Sequence, residues 1–485
     1  MKFTQLINNL EKIEVIGNID FTINNIQFDS RKIEDGDVFV AIRGHDQDGH
    51  NYIESAISFG ARVVVCEKKP EVIYDKTTFV IVKNSRKALA RISANYYNNP
   101  SNELQIIGVT GTNGKTTVTF LIGSLLKKLN YKTAIIGTTG IYIGDERQDA
   151  THTTPDPISM NRILREVADR GIQYVIMEVS SHALEQNRAD YVDFDAAIFT
   201  NITHDHLDYH RTFEAYSEAK KLLFDNLKSD AIAVVNVDDG GYREMISDTK
   251  AKVIHVGWDV EADYQIRNEE IDHTGSTFEI EMENLNVGVN SPLVAQFNII
   301  NLSLSLATVS NLCNVSFSSL VSDLTGISSA PGRMERVPLR NGAVAIIDYA
   351  HTPDALEKAG KACSELIVGN DARLIIVFGC GGDRDKGKRP KMAEAAEKYA
   401  DRIIVTDDNP RKENRDKIFA DIEKGLTKAG NYLIIKDRAE AITEAVKISK
   451  KGDIILIAGK GHEDYQIIGT QKIHFNDKEV VLSVK

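Results

Sequence analysis

The run Gly108-Val109-Thr110-Gly111-Thr112-Asn113-Gly114-Lys115-Thr116-Thr117 carries the residue types that bind phosphate. Closely spaced glycines let backbone N–H groups approach an anion, a lysine reaches the outer phosphates, and a threonine hydroxyl ligates the Mg²⁺ that accompanies them. The common spacing of this loop would place its first glycine where Val109 stands, so the signal lies in Thr-Gly-Thr-Asn-Gly-Lys-Thr-Thr itself. The elements needed to present it flank it. Leu104–Val109 reads as a strand, and Phe120, Ile122, Leu125, Leu126 and Leu129 recur near helical spacing. A strand, a glycine loop and a helix N-terminus place amide donors and the positive dipole end at one point.

Further strands end in polar residues. Tyr174–Val179 reads as an apolar strand carrying Glu178 near its end, and a buried strand seldom holds an unpaired charge. The strand Ala196–Ile202 runs into Thr203-His204-Asp205-His206-Leu207-Asp208. In open parallel sheets ligands collect at the carboxyl ends of strands, so Thr116, Glu178 and His206 are expected in one crevice. Oxygen donors and an imidazole beside a phosphate loop point to a divalent metal. Ala215–Asn226 reads as a helix containing Lys220 and Lys221, which periodicity does not separate.

The last 150 or so residues, from Pro331 on, restart an α/β rhythm. Strands are expected at Ala343–Asp348, Arg373–Phe378, Arg402–Thr406, Tyr432–Ile435 and Asp453–Ile457, with helices at Lys391–Tyr399, Lys417–Ala429 and Glu440–Lys450. Asp348-Tyr349-Ala350-His351-Thr352-Pro353, Gly379 to Gly387, Asp407-Asp408-Asn409-Pro410-Arg411 and Ala458-Gly459-Lys460-Gly461-His462-Glu463 follow strands. Motifs at four ends on one rim of a sheet read as a binding site. Nearer the N-terminus, Asp29-Ser30-Arg31 and Arg43-Gly44-His45-Asp46 also lie at element ends, where turns and ligand contacts draw on the same residue types.

A chain of 485 residues exceeds one core, and the breaks at 98–102 and 329–333 divide it into segments 1–100, 101–330 and 331–485. The expected class is α/β: a central phosphate-loop domain with a mostly parallel sheet and helices, and a C-terminal Rossmann-like domain. With 58 basic and 70 acidic residues the net charge is −12, which argues against a nucleic-acid surface. No signal-peptide-like start or membrane-length apolar run is present, so a cytoplasmic protein without membrane attachment is expected. Cys66, Cys313, Cys363 and Cys380 are too scattered for a disulfide framework or zinc site and read as reduced thiols.

Taken together, Thr110–Thr117, Glu178-Val179-Ser180-Ser181-His182, Asn201-Ile202-Thr203-His204-Asp205-His206-Leu207-Asp208, Asp348–Pro353 and Asp408–Arg411 make the chain resemble the Mur ligases, over essentially its whole length. These are ATP-dependent, amide-forming enzymes of peptidoglycan precursor synthesis. The resemblance implies segments that bind, in order, a uridine nucleotide, ATP and the incoming amino acid. It implies that Lys220 is carbamylated and holds Mg²⁺ with Thr116, Glu178 and His206, and that Lys115, Lys220, His206 and His351 serve catalysis. Thr110, Gly111, Thr112, Asn113, Gly114, Lys115, Thr116 and Thr117, with Asn298, Asn301, Arg333 and Asp348, match ATP contacts. Ser30, Thr153, Thr154, Ser180, Gln186 and Arg188 match contacts to UDP-MurNAc-L-Ala-D-Glu. Arg384, Asp408, Asn409, Pro410, Arg411, Gly459 and Glu463 match the amino-acid site, and a monomer is expected.

The identity of that amino acid has a physical argument. Meso-diaminopimelate differs from lysine by a second carboxylate, which calls for a rigid bidentate cation. Arg411 supplies one, with Pro410 fixing the turn, and a guanidinium left unsatisfied would penalise lysine. Folylpolyglutamate synthetases share the loop and the chemistry but do not account for the N-terminal segment or Asp-Asn-Pro-Arg. The same features argue against a sister ligase adding D-alanyl-D-alanine. A phosphate-loop ATPase or switch would need no carboxylate-binding arginine.

Overall fold

A computed structural model describes residues 1–44, 47–327, 329–367, 371–427 and 430–484, without the side chains of Leu207 and Asp208. His45, Asp46 and the end of the helix expected over Lys417–Ala429 lie outside the described residues. The fold is α/β with mostly parallel sheets, and the chain packs as two compact units.

The first unit comprises Met1–Lys115, Leu126–Val235 and Asp239–Ile254. Its N-terminal sheet has the order Lys12–Ile16, Thr78–Val82, Val63–Cys66, Val38–Val40, Ile26–Gln27, antiparallel only at the first pair. Its inner strands are continuous β-branched and aromatic runs, as a sheet covered on both faces requires. Helix Ser85–Tyr96 covers one face: Asn84 caps it by accepting from the Lys87 N–H, and Ala88, Leu89 and Ile92 join the core of Val38, Val40 and Val63. The sequence singles out only the helix near Asn51–Phe59, which forms as a 3₁₀ turn followed by Ile53–Ser58.

A second sheet in this unit has a parallel core in the order Ile232–Asn236, Ala196–Phe199, Gln105–Thr110, Tyr174–Glu178, Thr133–Gly137, extended beyond the last by the antiparallel strands Gly140–Ile143 and Glu146–Gln148. Gln105–Thr110 is central, fed by crossover connections on both sides. Glu178 pairs in register with Val109, the second-last residue of that strand, which places the carboxylate beside the start of the glycine loop. The strand expected over Ala196–Ile202 ends at Phe199, and Thr200 and Asn201 turn toward the loop.

The second unit comprises Thr116–Leu125, Asn236–Asp238 and His255–Lys485. Strands Tyr264–Asp272, Gly275–Met282 and Leu285–Ser291 form an antiparallel meander, matching the alternation of Thr277-Phe278-Glu279-Ile280-Glu281. The C-terminal sheet has the order Glu335–Pro338, Val344–Asp348, Ile454–Ala458, Leu374–Phe378, Arg402–Val405, Tyr432–Ile434. All pairs after the first are parallel, so the motif-bearing strand ends share one rim. Separate buried clusters line its two faces in the Rossmann-like manner, one including Leu356, Phe378 and Met392, the other Ile375, Val377, Ile442 and Ala445.

Beneath the rim lies a fully buried ion pair. Arg438 donates from Nε and Nη2 to the Asp477 carboxylate at 2.7 and 2.8 Å, and from Nη2 to the Ala458 carbonyl at 3.1 Å, with both side chains at 0 % exposure. Removing one partner leaves an uncompensated charge in the core. Asp477→Asn is therefore expected to destabilise the C-terminal region by about 3–5 kcal/mol, read by urea denaturation. An unchanged midpoint would show that the pair contributes nothing.

None of the four cysteines is joined in a disulfide, and no described helix is long and apolar enough to cross a membrane.

Candidate active site

The glycine loop is held by side chains from neighbouring strand ends. Gly111 has φ +146°, and a Cβ there would fall 2.0 Å from Thr200 Oγ1, so close approach demands glycine. Thr200 donates to the Asn113 carbonyl at 2.6 Å, and the Asn113 N–H donates to Asn201 Oδ1 at 3.0 Å. Thr112 Oγ1 lies 2.9 Å from the Tyr216 hydroxyl, a partner that no spacing argument singles out. Lys115 folds back, donating to the carbonyls of Gly111 and Thr112 at 2.7 and 2.9 Å. Thr116 and Thr117 are buried in the first turn of helix Lys115–Lys128.

Lys220, on helix Phe213–Asp225, is 2 % exposed and donates to the Gly111 carbonyl at 2.9 Å. Desolvation first, then the nearby Lys115 cation, push its ammonium well below the usual lysine range. Lys221 instead pairs with Asp225 at 2.7 Å and Asp248 at 2.5 Å near the surface. Tertiary burial thus separates two lysines that periodicity leaves equivalent.

Glu178 is 1 % exposed and accepts from the Thr138 N–H at 2.8 Å and the Thr138 hydroxyl at 3.2 Å. A Cβ at 137 would fall 2.2 Å from Glu178 Oε1, so glycine there leaves room for the carboxylate in this position. His206 has φ +52° and a half-exposed side chain; its ring packs 4.8 Å from His182 and 6.2 Å from Tyr216. Lys220 therefore touches the loop directly, Glu178 lies beside the strand that leads into it, and His206 packs on Tyr216, whose hydroxyl meets Thr112. Among the described residues no group of three His, Cys, Asp or Glu side chains converges as a ready-made metal cage.

Beside Glu178, Thr154 Oγ1 donates to the Glu178 carbonyl at 2.8 Å and accepts from the Ser180 N–H at 3.1 Å. Arg188 donates through Nε and Nη2 to Gln186 Oε1 at 3.0 and 2.6 Å, and through Nη1 to the Thr154 carbonyl at 3.3 Å. Thr153 Oγ1 lies 3.1 Å from Thr138 Oγ1. These residues form one polar patch; Ser30 belongs to the 3₁₀ turn Ser30–Lys32, capped by Asp29.

In the second unit, Asp348 ends its strand and accepts from the N–H groups of Met334 and Ala350 at 2.8 and 2.9 Å. Burial pushes its carboxyl upward, against the pull of Arg333. Arg333 lies over the Tyr349 ring at 5.0 Å, and His351 Nδ1 is 2.9 Å from the Tyr349 carbonyl. Asn298 and Asn301 are buried in helix Gln296–Leu312 and linked at 3.4 Å.

On the rim, Asn409 donates to Glu463 Oε2 at 3.0 Å, and its own backbone carbonyl accepts from the Gly382 N–H at 2.9 Å. Arg411, at φ +51°, donates through Nη1 to the Gly382 carbonyl at 2.9 Å. A Cβ on Gly459 would lie 3.3 Å from Asp408 Oδ2. Arg384 is exposed on the loop that follows strand Leu374–Phe378. Buried Arg389 joins this loop to the next by donating to Glu413 at 2.9 and 2.7 Å, while Glu413 accepts from the Asp383 N–H at 2.8 Å. Lys460, between Gly459 and Gly461, likewise proves fully buried.

A phosphate-loop α/β core followed by a Rossmann-like sheet with a polar rim defines the architectural class. The models for the Mur ligase family catalytic domain, the Mur ligase middle domain and the Mur ligase glutamate ligase domain match residues 22–97, 109–309 and 332–461. The chain is 41% identical to the UDP-N-acetylmuramoyl-L-alanyl-D-glutamate–2,6-diaminopimelate ligase of Clostridium tetani, covering 100% of this chain and 99% of that one. It is equally 41% identical to a 2,6-diaminopimelate ligase of Phocaeicola vulgatus with the same full name, over 100% and 99% of the two chains. A solved structure of a ligase of that name superposes with a TM-score of 0.75 at 34% identity, covering 100% and 98%. MurF ligase from Thermotoga maritima in complex with ADP shares the fold, with a TM-score of 0.57 at 21% identity and 95% and 96% coverage. The chain belongs to the Mur ligase family.

Proposed function

We propose that this chain joins meso-diaminopimelate to UDP-MurNAc-L-Ala-D-Glu at the expense of ATP, in cytoplasmic peptidoglycan precursor synthesis. The observation that carries the reading is the Asp408–Arg411 loop on the rim, in a chain whose full-length relatives bear the diaminopimelate ligase name. Segments 1–100, 101–330 and 331–485 would take the nucleotide dipeptide, ATP and the amino acid.

A carboxylate is a poor acceptor for an amine. Transfer of the ATP γ-phosphoryl group to the D-glutamate side-chain carboxylate yields an acyl phosphate, which the amino group attacks with release of phosphate. Lys115 and the N–H groups of Thr110–Thr117 bind the phosphates, and Asn298, Asn301, Arg333 and Asp348 orient the nucleotide. Ser30, Thr153, Thr154, Ser180, Gln186 and Arg188 hold the uridine substrate, and His351 serves the reacting groups. Arg384, Asp408, Asn409, Pro410, Arg411, Gly459 and Glu463 place the amino acid.

The donor set suits a hard cation: Glu178 is buried beside the loop, Thr116 sits in the helix's first turn, and Lys220 is held toward its neutral form. A neutral amine adds CO₂, giving a carbamate and one proton, and so turns a cation into an oxygen ligand. Thr116, Glu178, His206 and carbamylated Lys220 would then hold Mg²⁺, which neutralises charge on the transferring phosphoryl group when bound.

Phosphate release from ATP tests the reading with the nucleotide dipeptide plus either diaminopimelate or lysine. Turnover is expected only with all substrates and with diaminopimelate. Release without the nucleotide dipeptide would remove the ligase assignment, and preference for lysine would remove the role given to Arg411.

A further inference from the structure

Lys460 is an unusual side chain to find at 0 % exposure. Its Nζ donates to Asn409 Oδ1 at 3.1 Å and to Glu463 Oε2 at 3.0 Å, and lies 3.7 Å from Asp408 Oδ1. One ammonium thus ties together three side chains from two loops that are far apart in sequence, the Asn409 contact spanning 51 residues. A buried cation is retained only where its partners compensate desolvation, and removing it leaves those partners misplaced.

The same loop is also held by a hairpin, Tyr465–Ile468 and Gln471–His474. Gln466 Nε2 donates to the Asp408 carbonyl at 2.7 Å, and the Ile467 N–H donates to Asn409 Oδ1 at 2.9 Å. The Arg411 N–H donates to the Ile467 carbonyl at 3.0 Å, and the Gly469 N–H to the Arg411 carbonyl at 2.8 Å. Asn409 Oδ1 therefore receives both the Lys460 ammonium and a hairpin amide, so its orientation is determined twice.

We infer that Lys460 is the positioning residue of the amino-acid site: it orients Asn409 and Glu463, and the hairpin fixes the backbone of Asp408–Arg411 around it. The charges agree with an amino-acid head group. One lysine between Asp408 and Glu463 leaves a net negative charge for an incoming ammonium, while Arg411 is available for a carboxylate. This inference rests on the amino-acid site proposed above.

Lys460→Gln and Lys460→Met test it in the full chain, by steady-state phosphate release together with thermal unfolding. The KM for diaminopimelate is expected to rise about 10- to 100-fold, as the loss of one hydrogen bond to a charged head group would cause, while the KM values for ATP and the nucleotide dipeptide stay within about twofold. Gln466→Met leaves Lys460 in place and is expected to raise the same constant alone, by a smaller factor. An unchanged KM for the amino acid, or parallel loss in all three constants, overturns the inference. If the Lys460 variants fail to fold, an unchanged amino-acid KM in Gln466→Met overturns it. Wild-type turnover with lysine in place of diaminopimelate would instead mark failure of the substrate assignment, and the KM comparison would then be read with lysine.

Discussion

Lys220→Ala is expected to abolish ligation and leave the protein folded. The expected loss in kcat is about 10³-fold or more, the scale on which electrostatic stabilisers of a charged transition state act. The fold should survive, because burial already disfavours the Lys220 ammonium and the Gly111 carbonyl keeps the Lys115 donor at 2.7 Å. Truncating a buried side chain leaves a cavity, so a modest loss of stability is expected beside the loss of activity. Activity and thermal stability should therefore part company: no turnover, with cooperative unfolding only a few degrees or so below that of the wild type. Added bicarbonate should not restore turnover, since the amine that takes up CO₂ is gone. Wild-type-like turnover would refute the carbamate role, and a large fall in unfolding temperature would show that Lys220 is structural.

The two lysines of that helix also show what the sequence could not convey. Glycine, lysine and threonine types announce the phosphate loop because the geometry they serve is local. Lys220 and Lys221 are adjacent on one helix, and what separates them is the Gly111 carbonyl, 109 residues away in sequence. The parallel strands are legible for the opposite reason: Tyr174–Glu178, Leu374–Phe378 and Ile454–Ala458 are almost unbroken apolar runs, all buried.

Arg389 marks the limit in the C-terminal domain. It stands at the end of the charged stretch from Asp383 to Arg389, where residue type does not set it apart from its neighbours, yet it is 0 % exposed and bonded to Glu413 and Asp421. The hairpin that begins at Tyr465 is no easier to foresee; its second strand is exposed throughout, so it carries no buried pattern to read. The family motifs mark the rim residues proposed for the amino-acid site, whereas the contacts that hold them come from positions whose composition gives no warning.

Arg411→Ala should cost about 2–5 kcal/mol in kcat/KM for diaminopimelate, or about 30- to 5,000-fold, the range for truncating one partner of a desolvated charge pair. The guanidinium is already oriented on a half-buried residue: Nη1 donates to the Gly382 carbonyl at 2.9 Å, and the Arg411 backbone is bonded on both sides to the hairpin. Little ordering therefore remains to be done when a carboxylate arrives. Arg411→Lys should recover only a small part of the loss, because an ammonium is a point charge that cannot offer the planar fork. With lysine as substrate the sign reverses. Wild type has a guanidinium left without its carboxylate, so removing it relieves a penalty, and Arg411→Ala should narrow the preference for diaminopimelate from both directions. The ratio of kcat/KM for the two amino acids measures this directly. A variant that loses activity with both substrates equally would show that Arg411 only holds the loop, and the choice of amino acid would then have to reside elsewhere on the rim.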